Sequence, residues 1–312
     1  FFTQDTFVAS VFFFFLQFAA IIQTFGDQSA RMLSWVHGVA IIIISLALGE
    51  KVGLSKSGRV ILLALLLTST AFVDLLGDGK VDLISSAPAL AAIYWMVDKN
   101  QNVNSGKRAF ILIGFFAGLA VVGRPFNAFL LGIYCILFYF QQTFLNRGIN
   151  LSSTKDFIGS LFWIGAGAIG LGIYHLFANW MILGSPLAFL SSVSNINPAS
   201  GPWDFDPKQM LALRLFYPLV ATFRNTPQSL GNISPLAIAF LPALFISSVR
   251  KNVKISREMW GLVVISVITI LLWIFSFFTV VEIRYVFFLW IILFLPMAEI
   301  ISSILKSDDY IL

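Results

Sequence analysis

Apolar residues run through this chain in long blocks broken by short polar clusters, with neither strand alternation nor a narrow helical stripe. A block that crosses about 30 Å of hydrocarbon needs roughly 17–25 residues as a helix. Ten blocks approach that length: 8–24, 31–49, 60–77, 82–97, 108–123, 125–141, 157–181, 235–249, 259–280 and 285–305. Backbone polar groups inside a bilayer must be satisfied within the segment, so such blocks predict helices. The pattern therefore predicts an all-α, polytopic transmembrane bundle of nine or ten spans, the first block being either a span or a surface helix. Gly123-Arg124-Pro125 joins two spans with almost no loop, and Pro125 suits the first helical turn, where no amide hydrogen is needed.

One polar interval is too long for a linker. Residues 182–234 pass through Gly184-Ser185-Pro186 and SSVSNINPASGPWDFDP before KQMLALRLFYPLVATF. Asp206-Pro207 is a helix-opening pair, and the basic residues Lys208, Arg214 and Arg224 sit among leucines and aromatics. This predicts an amphipathic helix in the membrane interface. The whole chain, 1–312, reads as one transmembrane domain containing this loop.

Composition sharpens the class. The 312 residues are 58% apolar and 11% charged, with mean hydropathy +0.89. Ordinary soluble domains are about one quarter charged, so a soluble enzyme, a disordered segment and a disulfide scaffold are excluded. The single Cys135 cannot form an intramolecular disulfide or a cysteine metal cluster. His37 and His175 stand apart from any ligand-spaced partners, so no metal site is predicted. There is no Walker loop, dinucleotide fingerprint, HExxH or GxSxG motif.

The net charge of +5 suggests nucleic acid only until its distribution is read. Alternate loops and the tail hold Lys51, Lys56, Arg59, Lys99, Lys107, Arg108, Arg147, Lys155, Arg250, Lys251, Lys254, Arg257 and Lys306. The opposite side holds seven: Arg31, Lys80, Arg124, Lys208, Arg214, Arg224 and Arg284. The excess of positive charge places the first set, and the C-terminus, in the cytoplasm. No nucleic-acid partner is expected. Short basic loops and the absence of a retention signal at the end favour a bacterial plasma (inner) membrane.

Candidate chemistry gathers on the non-cytoplasmic side. Asp82, after Lys80, opens an apolar helix and reads either as a cap or as a carboxylate beside a membrane-level cavity. Arg124 is either a snorkelling arginine or a bidentate phosphate contact. Glu282, Arg284 and Tyr285 form a turn that holds a local ion pair and an interfacial aromatic. Asp204 and Asp206 suggest a cation or sugar contact, or a solvated loop with a cap. Glu299 lies inside the last span and is expected to face other helices.

In order, several stretches resemble a family. GDQSARMLSWVHGVAIIIISLALGEKVG, GDGKVDLISSAPALAAIYWMVDK, AFILIGFFAGLAVVGRPFNAFLLG, GSPLAF and LLWIFSFFTVVEIRYVFFLWIILFLPMA are similar to successive parts of GT-C integral-membrane glycosyltransferases, of the protein mannosyltransferase and aminoarabinose transferase kind. GSPLAF resembles the family's Gly-Asn-Pro-Phe turn with Ser185 replacing Asn. The resemblance implies transfer of a sugar from a polyprenyl-phosphate carrier to a lipid, glycan or protein acceptor on the non-cytoplasmic face. It implies Asp82 as the second-loop acid, and Arg124, Lys80, Asp204, Asp206, Arg284 and Tyr285 as substrate contacts. It requires no certain cofactor beyond the donor and leaves a divalent metal open. Implied partners are membrane lipids, the carrier-linked sugar and other proteins in a membrane complex.

The family's main acid stands after the first span, upstream of the residues that match this chain's beginning, and Asp5 does not replace it. The expectation is a chain incomplete at its N-terminus. The competing expectations are a non-catalytic membrane subunit on the same scaffold, and a transporter or flippase.

Overall fold

The computed structural model describes residues 22–26, 28–78, 81–102, 106–124, 126–145, 151–185, 211–212, 215–216, 234, 253, 255–276 and 283–306. Among them there is no strand, and the architecture is an all-α helical bundle. The helices are α1 (Gln28–Lys51), α2 (Lys56–Thr68), α3 (Thr70–Asp78), α4 (Val81–Gln101) and α5 (Gly106–Gly123). They continue with α6 (Asn127–Phe140), α7 (Leu151–Leu183), α8 (Arg257–Phe275) and α9 (Phe287–Lys306). A π turn, Gln141–Leu145, extends α6, and a 3-10 turn, Ile283–Val286, leads into α9.

Five of the described helices are long and apolar enough to span a membrane: α1, α5, α6 with its π turn, α8 and α9. The pair α2–α3 makes a sixth if its two halves count as one span. The protein is thus an integral membrane protein of the polytopic helical type. The stretches expected as spans at 82–97 and 157–181 are helical, as α4 and part of α7, but are not among the described helices that qualify as spans, so five or six stand where nine or ten were expected. Most of 8–24 and all of 235–249 lie outside the described residues.

The span expected at 60–77 is not one helix. It bends by 62° at Ser69, whose backbone is extended (φ −75°, ψ 109°). The Thr68 hydroxyl donates to the Ala64 carbonyl at 2.8 Å, and the Ser69 amide is shared between the Leu65 and Leu66 carbonyls. A new helix then starts, with Phe72 and Val73 amides donating to the Ser69 carbonyl. Hydroxyl side chains that bond back to the preceding turn compete with the ladder in this way. The α5–α6 joint is as short as expected, although α6 begins at Asn127, two positions after Pro125.

The helices form two rows. In one, α5 packs between α7 and α4, and α4 packs on α1. In the other, α9 lies against α2 and α8, and α8 against α6. The α5–α7 contact is close because glycine lines it. A Cβ on Gly114 would stand 1.9 Å from the Ile164 carbonyl oxygen, and one on Gly167 would stand 2.2 Å from that of Ile111. Small residues that admit backbones to near contact are how helices associate where lipid offers no hydrophobic drive. Inside the bundle, Tyr134, Phe72, Phe287, Phe288 and Phe294 are fully buried, with Phe72 stacked on Phe287 at 5.9 Å. Outward faces remain apolar, as at Ile43, Phe162, Ile173, Val264 and Leu272, which suits contact with lipid.

Polar contacts gather at the ends of the bundle. At the end expected to be cytoplasmic, Lys51 of α1 meets Asp98 of α4 at 2.5 Å, and the Gln101 side-chain Nε2 donates to the Lys51 carbonyl. Ser55 caps α2 by accepting from the Gly58 amide, and Ser256 caps α8 by accepting from Met259. Glu299 faces neighbouring helices as expected, its carboxylate accepting from the Ser55 amide (3.0 Å) and hydroxyl (2.9 Å).

Candidate functional site

At the opposite end, three stretches far apart in sequence converge. Asp82 lies in the first turn of α4, Arg124 directly follows α5, and Arg284 belongs to the 3-10 turn before α9. The Arg124 guanidinium forms an ion pair with the Asp82 carboxylate, and its Nη1 donates to the Arg284 carbonyl at 3.3 Å. Asp82 is 1% exposed and Arg124 8%. Among the described residues, no donor other than Arg124 reaches the Asp82 carboxylate.

Each position has a local cause. A carboxylate in the first turn of α4 faces the positive end of the helix dipole. Its own carbonyl accepts from the Ser85 hydroxyl at 3.0 Å, so the turn is tied from within. Arg124 stands where α5 ends, and its amide closes the last turn by donating to Ala120. Asn127 holds that joint: its amide donates to the Arg124 carbonyl at 2.9 Å and its side chain to the Ala120 carbonyl at 3.0 Å. Asn127 is itself 2% exposed. This residue was not singled out in the sequence; its side chain does not cap α6 but donates back to the end of α5, a role that residue type alone does not signal. The Arg284 contribution is a backbone carbonyl and leaves no trace in residue type.

The structure thus brings together three of the expected site residues: Asp82, Arg124 and Arg284. Lys80, Asp204 and Asp206 lie outside the described residues, as does Glu282. Tyr285 contributes backbone to the 3-10 turn, and its side chain lies outside the described residues. Of the expected interfacial helix, only 211–212 and 215–216 are described; there the Phe216 amide donates to the Ala212 carbonyl, and Leu211, Leu215 and Phe216 are exposed. His37 bonds the Leu33 carbonyl through Nδ1 at 2.8 Å, a contact within its own helix.

Chemically, the site offers one planar cation facing one carboxylate in a dry environment. A guanidinium there can exchange its carboxylate for another oxyanion that offers two acceptor oxygens to the same fork, a phosphate included. A divalent metal does not fit the described donors: Asp82 is a single carboxylate already facing a guanidinium, and no group of three His, Cys, Asp or Glu side chains occurs among the described residues.

No family model, curated protein or solved structure matches this chain.

Proposed function

We propose that this protein is a membrane glycosyltransferase of the GT-C type, moving a sugar from a polyprenyl-phosphate carrier to a lipid, glycan or protein acceptor. The observation that carries this reading is the buried Asp82–Arg124 pair where α4 begins and α5 ends, with the Arg284 turn against it. In this reading the face is the outer side of a bacterial plasma membrane and the C-terminus is cytoplasmic, following the basic loops. The carrier phosphate displaces Asp82 from the guanidinium. Arg124 then faces the oxygen that gains charge as the anomeric C–O bond breaks, which favours the transition state over the ground state. Released Asp82 accepts the proton of the acceptor hydroxyl while that oxygen bonds to the anomeric carbon and polyprenyl phosphate departs.

A second reading has its own support. The pair is closed and, among the described residues, the carboxylate faces only the arginine, which is how a clamp inside a non-catalytic membrane subunit would look. The two separate in vesicles containing the purified protein, a polyprenyl-phosphate-linked hexose and an extract of candidate acceptors. Transfer that disappears in both Asp82→Asn and Arg124→Ala, with helicity retained, supports the enzyme. A wild-type protein that transfers nothing and co-purifies with partner proteins overturns it in favour of the subunit.

A further inference from the structure

The other end of the bundle holds a cavity that plays no part in this site. It lies where α4 ends, where α6 passes into its π turn and where α8 begins, and its volume is about 130 Å³. Val97, Phe138 and Leu262 form an apolar floor, each at most 3% exposed. The polar lining comes from Asn100, Gln141, Gln142, Arg257 and Glu258. Gly261 completes it: a Cβ there would stand 2.7 Å from the Gln141 side-chain Nε2, so the missing side chain is what lets Gln141 lie against α8. The π turn of Gln141–Leu145 begins at that same residue, and single π turns inside helices recur at functional sites.

We propose that this cavity binds the headgroup of a phospholipid bearing a phosphate and a primary ammonium, of the phosphatidylethanolamine class. The lining carries both charges side by side: the Arg257 guanidinium, with five donors in a fork, faces the phosphate, and the Glu258 carboxylate faces the ammonium. The carboxamides of Asn100 and Gln141 supply donors and acceptors for the remaining oxygens and N–H groups. Size agrees, since a cavity of about 150 Å³ admits benzene, so this slightly smaller one admits a compact group such as an ammonioethyl arm, with the phosphate at the exposed Arg257. Location agrees as well. Three helix ends place the cavity at the level where spans leave the membrane, and Phe140, Leu145, Trp260 and Val264 beside it are exposed apolar surface along which acyl chains can lie. This inference does not depend on the glycosyltransferase reading.

The test is thermal unfolding of the full chain in phosphatidylcholine bilayers, pure or with a minority of either phosphatidylethanolamine or phosphatidylglycerol. Phosphatidylethanolamine is expected to raise the midpoint by about 3 °C or more relative to the other two. Glu258→Gln, at an exposed position in the first turn of α8, is expected to erase that preference while lowering the midpoint in pure phosphatidylcholine only by the small loss of a first-turn carboxylate. Gln141→Leu should weaken it as well. An equal shift with phosphatidylglycerol means a site for anions alone and overturns the proposal, as does a preference that survives both substitutions. Soluble phosphoethanolamine that reproduces the whole shift overturns the lipid assignment in favour of a free zwitterion.

Discussion

Removing one partner of the Asp82–Arg124 pair should cost far more than removing both. The two side chains are 1% and 8% exposed, so each charge has given up nearly all of its hydration. Asp82→Leu leaves a guanidinium that cannot lose its proton, and Arg124→Met leaves a carboxylate whose facing cation is gone. Deleting one member of a buried pair costs about 3–5 kcal/mol, whereas replacing both with apolar groups of similar volume is often neutral. Arg124→Met also strips the Arg284 carbonyl of the Nη1 donor, about 1 kcal/mol more. The double substitution should therefore lie at least about 3 kcal/mol above the sum of the singles. Equilibrium unfolding in mixed micelles, followed by helical circular dichroism, reads these differences. Single effects that add to the double within about 0.5 kcal/mol would show that the charges do not face one another in a dry site, and the reasoning fails. The double variant also separates stability from chemistry. A stable bundle without the guanidinium should be unable to hold a carrier phosphate, while a subunit that uses the pair only as a clamp should still associate with its partners.

The α5–α7 contact gives a sharper packing test. Gly167→Ala pushes a methyl against the Ile111 carbonyl and should cost about 1–3 kcal/mol, while Gly165→Ala, which meets open space, should lose nothing; thermal midpoints of the two variants decide it. A pH test applies to the other end of the bundle. The hydrogen bond from Lys51 holds the Asp98 carboxyl below its ordinary value of 3.8. A carboxyl lowered in the folded state contributes stability above its unfolded value and loses it as pH falls through the folded one. Unfolding midpoints should thus drop at acid pH, and Asp98→Asn should flatten that part of the profile.

Span positions were legible because hydrocarbon imposes length and apolarity on each segment separately, and 31–49, 108–123 and 285–305 lie inside α1, α5 and the 3-10 turn with α9. The bend at Ser69 was not legible. ILLALLLTSTAF stays apolar through it, and what breaks the ladder is a pair of small hydroxyl residues whose effect depends on neighbouring carbonyls. The site divided in the same way. Asp82, Arg124 and Arg284 stood out as charges at span ends, because ionised groups in such places are costly. Their meeting did not, since residues 42 and 160 positions apart are joined by the packing of α4, α5 and α9, which side-chain type does not encode. The Gln141–Gly261 cavity was hidden for the opposite reason: neutral carboxamides and a glycine carry no charge signal.

The two ends of the bundle hold their ions on different terms. Lys51 and Asp98 remain 29% and 14% exposed, so their bond forms with water at hand and contributes on the order of 0–1 kcal/mol. Asp82 and Arg124 have no such relief, and a pair so dehydrated seldom returns through attraction what it loses in hydration. An apolar pair of the same volume would hold α4 to α5 at least as well. Stability alone therefore does not account for charges at that position; under the proposed reading the guanidinium is kept dry, held by the Arg284 carbonyl beside the Asn127-tied joint, and covered by a carboxylate that an incoming oxyanion would replace.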